Sequence, residues 1–335
     1  MQLNGYADLL GISTRSRLTS ALKARMDVTQ KEAVTGLRDD LTMATNGRTG
    51  AAHTLLKAIN SAQDSQQHHG LAKNRLQLTQ HSLRSSREAV NGLDTRALVA
   101  LEGLGISAQR TLSSEAEGVL GSVISSLNAR QGPRYLLSGT NTDSPPVASA
   151  ETFLDDLRAV ISASPEGTSA KAALDMYFND PAGGFETRIY SGSKTSGTPL
   201  FHDGNAPVPL DVRANDPAIR DTLRGLATLA IAEDLAPAGS EEHADIYRNG
   251  IESLASGQGG LITLEADTGV VAQGLDRVEQ RTQFEILSLS EAWQSLAGRD
   301  QFEAAAELKQ LEVALQSSYT ITARLAGLSL VNFIR

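Results

Sequence analysis

Six histidines, one lysine in a glycine-rich loop and two pairs of adjacent aspartates are the residues of this 335-residue chain whose types could carry chemistry. His68 and His69 are neighbours, which on a helix points them about 100° apart, and His53, His81, His202 and His243 lack a histidine or carboxylate partner at ligand spacing. They read as surface histidines. The segment SGSKTSG at 191–197 brings Gly192, Lys194 and Thr195 together. A phosphate loop, however, needs its lysine directly after the second glycine and a further glycine five positions before that one, so the segment reads as a glycine-rich hairpin turn. GQGG at 257–260 lacks the G-x-G-x-x-G spacing of a dinucleotide site and reads as a hinge between an insert and a helical rod. Asp39-Asp40 and Asp155-Asp156 would serve as paired carboxylates for acid–base work, but adjacent residues on a helix face different ways, and solvated faces are the reading. The chain has no G-x-S-x-G elbow and no cysteine, which removes thiolate catalysis, disulfides and cysteine-based zinc sites. No nucleophile and base can be named together, so the expectation is a protein that is not an enzyme, with no cofactor and no metal site.

The elements that would position these residues are mostly helical. Apolar or small residues at Leu18, Leu22, Met26, Thr29, Ala33, Leu37 and Leu41 step by three and four, the pattern of a helix with one thin apolar face. A turn follows near Asn46, Gly47 and Gly50, and a second helix starts near Ala51, passing through the polar stretch QDSQQHH, a solvated or partner-facing surface. Val90, Leu93, Ala97, Leu101, Leu104, Ala108, Leu112, Ala116, Val119 and Val123 continue the period, which predicts a straight helix over 84–130, roughly 70 Å long at 1.5 Å per residue. Its glycines suggest close helix approach.

The helical style stops at RYLLSGTNTDSPPV, Arg134 to Val147. Beyond it lie a helix near 151–163, short strands in TRIYSG and VPLDVRA, and a helix at about 215–234 that opens on Asn-Asp-Pro. From about 261 the rod style returns. Leu308, Leu311, Leu315, Ser318, Thr322 and Leu325 follow a 3-4-3-4-3 spacing, a coiled-coil seam with two polar members. The fold class expected is mainly α with an α+β insert: a long antiparallel helical rod built from both chain ends, plus a small mixed outer domain. Its parts are a discontinuous core of 1–147 with 265–335, and an insert of 148–264. The end segments 1–45 and 300–335 have seams too thin to stand as lone helices and are expected to order only on assembly.

A net charge of -9 offers no footprint for nucleic acid. There is no apolar stretch of about 18 residues for a membrane span, and the first thirty residues hold no apolar run of the kind a cleaved secretory signal needs. Aromatics are only 4 %, which favours helical packing through Leu, Ala, Val and Ile.

RYLLSGTNTDSPPV closely resembles the exit segment of the bacterial hook-associated protein 3 family, the flagellar hook–filament junction proteins related to flagellin. The matching residues are Tyr135, Leu136, Ser138, Gly139, Thr140, Thr142, Asp143, Pro145 and Pro146. Asp300 to Ile334 looks like that family's carboxy-terminal helix, and ISTRSRL at 12–18 with TGLR at 35–38 resembles its amino-terminal signatures. The resemblance covers roughly 1–147 and 265–335. It implies export through the flagellar type III apparatus with a chaperone and an extracellular place in the flagellum. It further implies a homo-oligomeric ring contacting hook-associated protein 1 on the hook side and flagellin on the filament side. The assembly seam it implies runs through Leu18, Leu22, Met26, Leu37, Leu308, Leu311, Leu315, Ile321, Leu325 and Leu328. Two rivals are a flagellin that forms the filament itself and a cytoplasmic helical signalling or ligand-binding module.

Overall fold

The computed structural model describes residues 3–40, 42, 47, 49–103, 105–165, 169–195, 199–204 and 206–333, with side chains among them described from 13 to 324. The chain is mainly α-helical with two small antiparallel sheets. It divides into two units, Met1–Ser65 with Thr282–Arg335, and Gln66–Arg281. The expected insert of 148–264 lies wholly within the second.

In the first unit, helix α1 (Leu3–Thr35) runs antiparallel to helix α9 (Gln301–Phe333). α1 ends at Gly36, whose φ of 66° a side chain would strain. Beyond it the backbone is clipped to the junction after helix α8 (Glu241–Ala297): Arg38 N–H donates to Ala297 O at 2.8 Å, and Arg299 N–H to Gly36 O at 2.9 Å.

In the second unit, the straight helix that the period predicts over 84–130 is three helices. α2 (Thr49–Val90) ends in a turn at Gly92, α3 (Leu93–Glu102) follows, and after Gly105 comes α4 (Ile106–Leu127). Gly92 and Gly105 have φ of 70° and 76°, left-handed values that end a right-handed helix whatever apolar spacing continues through them. The glycines that suggested close approach are thus partly chain breaks.

The centre of this unit is α7 (Pro217–Leu235), which starts on Asp216 and Pro217 as its sequence predicts. It is apolar nearly all round, burying Ile219, Leu223, Leu226, Leu229 and Ile231, as a helix covered on every side must. α4, α5 (Ala150–Ser162) and α6 (Ala170–Asn179) pack on it, as does the start of α8. Gly225 and Gly250 make the α7–α8 approach possible: a Cβ on Gly225 would lie 2.6 Å from Leu254 N. The GQGG segment is part of the same contact rather than a hinge. It sits inside α8 as continuous helix, and a Cβ on Gly257 or Gly260 would lie 2.4 Å from Thr222 Oγ1 or 2.5 Å from Ala218 Cβ. Four rings, Phe153, Tyr177, Phe178 and Phe185, cluster at centroid separations of 5.1 to 6.3 Å between α5, α6 and the turn after them.

TRIYSG, predicted as a strand, begins in a π-helical turn, Phe185–Ile189, and reaches extended backbone only at Tyr190, bridged to Val147. Burial of Phe185 and Ile189 on one side explains why alternation misleads here. Of VPLDVRA only Val208 is in a strand, β4 (Ala206–Val208), paired with β3 (Phe201–Asp203).

Candidate functional site

Along the terminal helix pair, the positions turned inward on α1 are Arg15, Thr19, Leu22, Met26, Thr29 and Ala33; on α9 they are Ala304, Leu308, Leu311, Leu315 and Ser318. Both follow alternating three- and four-residue steps, the period of a two-helix seam. Polar pairs fix the register. Thr19 Oγ1 and Ser318 Oγ are 3.1 Å apart, Arg25 reaches Glu307 at 2.9 Å, and Arg299 bridges Glu32 and Glu307. Arg25 first, and then Arg299, hold the Glu307 carboxyl below its ordinary range. Of the residues that the sequence points to, Leu22, Met26, Leu308, Leu311 and Leu315 lie along this seam half-buried, and Leu37 lies at the clip where α1 ends. Leu18 and Ile321 sit one position off it, exposed by 59 % and 55 %. The side chains of Leu325 and Leu328 lie outside the described residues, as does Leu41. Thr19, Glu32 and Arg299 were not named by an apolar count, because their contribution is polar.

The exit motif is built from backbone hydrogen bonds. After α4, strand β1 (Arg130–Gln131) pairs with β2 (Arg134–Tyr135) in a tight hairpin. Tyr135 N–H donates to Thr142 O at 2.9 Å, closing the loop that Leu136, Ser138, Gly139 and Thr140 occupy. Ser138 is fully buried; its carbonyl accepts from Ser193 N–H at 2.9 Å, and its hydroxyl donates to Tyr135 O at 3.3 Å. Gly139 has φ of 65°, and a Cβ there would lie 2.9 Å from the carbonyl oxygens of both Ser193 and Thr195. Asn141 donates to Ser191 O at 2.7 Å, and Pro146 O accepts from Ser191 N–H at 3.0 Å. Pro146 is buried, whereas Asp143 and Pro145 are exposed. Asn128, at the end of α4, completes the fastening with both halves of its amide on Val147: Nδ2 donates to the carbonyl at 2.9 Å, and Oδ1 accepts the amide proton at 3.1 Å. Leu137 O also accepts from Ala214 N–H at 2.9 Å, just before α7. The motif therefore ties α4, the 189–195 segment and the approach to α7 into one knot. Asn128 and Asn141 are the members that residue spacing does not reveal.

The residues considered for chemistry fall elsewhere. His53, His68, His81 and His202 are exposed, but His69 and His243 are buried, against the surface reading. Each occupies an inward position of a long helix, and burial lowers the basicity of both. Asp156 is no solvated carboxylate either: Tyr177 donates its hydroxyl proton to it at 2.6 Å, and Arg188 donates at 2.7 Å. Asp155 pairs with Arg158, and Asp39 with Lys31. Ser193 to Thr195 form a turn capping Gly139 rather than a phosphate cradle, and residues 196–198 lie outside the described ones. Among the described residues no group of histidine and carboxylate side chains could hold a metal ion, and no helix is long and apolar enough to cross a membrane.

An antiparallel pair of terminal helices, a second helical unit and a backbone knot between its helices and its small strands define a mainly α fold. The crystal structure of Bacillus cereus FlgL has this fold: it superposes with a TM-score of 0.50 at 13% identity, over 73% of this chain and 99% of FlgL. A flagellar hook-associated protein of Vibrio parahaemolyticus matches with a TM-score of 0.48 at 15% identity, over 73% of this chain and 96% of its own. No family model matches the chain. No curated protein matches it by sequence.

Proposed function

We propose that this chain is a structural subunit of the bacterial flagellum, a hook–filament junction protein that forms a ring between hook-associated protein 1 and the flagellin filament. The observation that carries the reading is the FlgL fold, which spans nearly the whole of FlgL at low identity. The motif Tyr135 to Pro146 stands at the point where helix gives way to the mixed segment, as its family resemblance implies. In this reading the subunit passes the flagellar export apparatus with its end segments unfolded, and the α1–α9 pair becomes part of the ring wall. Ordering them costs conformational entropy that repeated contacts around a closed ring offset. The role is mechanical and non-catalytic, matching the hook to the stiffer filament.

Immunogold electron microscopy of whole cells, with antibody against residues 148–264, tests it. A single cluster at the boundary of hook and filament is the expected result. Label along the filament would make the chain a flagellin, and label confined to the cell interior would return it to the signalling module.

A further inference from the structure

An asparagine followed by glycine can modify itself, because no Cβ on the glycine keeps its nitrogen from the asparagine side-chain carbon. Four such pairs occur, at Asn4, Asn46, Asn91 and Asn249. The side chains of Asn4 and Asn46 lie outside the described residues, and the structure sets the other two apart. Asn249 is only 7 % exposed, and its Oδ1 accepts from Arg224 Nη2 at 3.0 Å. Gly250 lies inside α8, where its N–H belongs to the helix ladder, and its carbonyl oxygen would lie 2.8 Å from a Cβ on Gly225. Ring closure at Asn249 therefore needs the α7–α8 crossing to open.

Asn91, by contrast, is exposed in the turn between α2 and α3. Among the described residues its side-chain amide has no hydrogen-bond partner, and Gly92 N–H donates to no acceptor. Gly92, at φ 70° and ψ 5°, follows the end of the α2 ladder, which is what frees that N–H. The backbone on either side is held: Gln258 Nε2 donates to Val90 O at 2.8 Å, Arg96 N–H donates to Gly92 O at 3.1 Å, and Val90 and Leu93 are fully buried. The reacting groups are thus adjacent, unengaged and open to water. We propose that Asn91-Gly92 is a self-modification site, where the folded chain converts a side-chain amide to a carboxylate with water as the only co-reactant. The Gly92 nitrogen attacks Asn91 Cγ and gives up its proton; the N–Cγ bond forms, the Cγ–Nδ2 bond breaks, and the amide leaves as ammonia. Water then opens the five-membered ring. Cleavage at Cγ leaves aspartate, and cleavage at the main-chain carbonyl leaves isoaspartate, whose backbone runs through Cβ and Cγ. Both products set a carboxylate between Glu88 and Asp94. Isoaspartate also lengthens the main chain by one methylene between Val90 and Leu93, neither of which can follow without leaving the core. The site goes beyond the flagellar reading and stands or falls apart from it.

The test ages the full chain in warm, mildly alkaline buffer, which favours loss of the proton from the attacking nitrogen, and then applies tryptic digestion and mass spectrometry. Trypsin releases Glu88–Arg96 and Asn249–Arg277, with one asparagine–glycine pair in each. In the folded chain the first fragment should gain the mass of an amide-to-acid change at least about tenfold faster than the second, because the packed crossing must open locally and the exposed turn need not. In urea the two fragments should age at similar rates. Part of the product from Glu88–Arg96 should be a substrate for an isoaspartyl methyltransferase, which ignores ordinary aspartate. Asn91→Gln should abolish that product, since the longer side chain must close a larger ring. Equal ageing of the two fragments in the folded chain would overturn the proposal, as would product free of isoaspartate. An Asn91 that ages about tenfold faster once the chain is unfolded would overturn it too, since the turn would then protect the pair.

Discussion

Gly132 and Gly139 share a left-handed backbone, φ 60° and 65°, but not their surroundings: a Cβ on Gly132 meets nothing within 4 Å, whereas one on Gly139 meets two carbonyl oxygens at 2.9 Å. Gly132→Ala should therefore cost only the backbone term, about 1 kcal/mol, and Gly139→Ala should cost about 3 kcal/mol because steric overlap adds to it. Urea unfolding of both variants measures the difference; equal losses would mean that the knot around Gly139 yields freely. Titration acts at single residues too. Burial lowers the basicity of His69 and His243 below the ordinary 6.5, so the unfolded chain binds their protons more readily. Their neutral forms are compatible with the fold above 6.5, and stability is lost as the pH falls from 6.5 towards the lowered folded values. Glu307 behaves oppositely in cause: pairing with Arg25 and Arg299 lowers it from 4.5, so its contribution is present above 4.5 and is lost only as the pH falls through the folded value. Both histidines belong to the second unit, and Glu307 and the single tryptophan, Trp293, belong to the first. On acidification the second unit should loosen first, seen as faster hydrogen exchange around His69 and His243, while Trp293 fluorescence stays native until the pH passes below 4.5.

Among the elements, α4 and α7 use glycine for opposite reasons. Gly118 and Gly121 in α4 have open space where a Cβ would go, while Gly225 of α7 and Gly250 of α8 lie in a helix crossing. Gly118→Ala and Gly121→Ala should each stabilise by up to about 1 kcal/mol through helix propensity, which raises the melting temperature by roughly 2–4 °C per kcal/mol. Gly225→Ala should lower it, since the new methyl would sit 2.6 Å from a backbone nitrogen. Sequence alone does not distinguish these glycines, because propensity is local and crossing is not. The same division explains which elements were readable. The Asp216–Pro217 pair announces α7 almost to the residue, since N1 prolines act within one turn, while the cap of α5, Ser149 accepting from Thr152 N–H, went unnamed. The burial of His69 and His243 depends on partners far along the chain, whereas the breaks at Gly92 and Gly105 are local left-handed turns hidden by an apolar period that continues through them. Of the apolar residues that the spacing names for α1 and α9, Leu22, Met26, Leu308, Leu311 and Leu315 lie along the helix pair and Leu18 and Ile321 do not, and the spacing is silent on Thr19, Glu32 and Arg299.

At the scale of the whole molecule, the division into two units predicts that they respond separately. Leu22→Asp or Leu315→Asp places a carboxylate in the α1–α9 seam and should open that pair to limited proteolysis, cutting within α1 and α9, while the melting of the second unit changes by no more than a degree or two. Joint loss of both units would mean that they fold as one.

Thr19 and Ser318, which meet across the seam, are 299 residues apart. On a ribosome adding 5–20 residues per second, α1 therefore waits roughly 15 to 60 s after its synthesis for its mate to emerge. An apolar helix left bare for that long invites the wrong company. The threonines, serine and charges that weaken the seam as a finished contact are what let the newborn segment pass that interval in water, and throughout it α1 is free to be held by something other than its own chain.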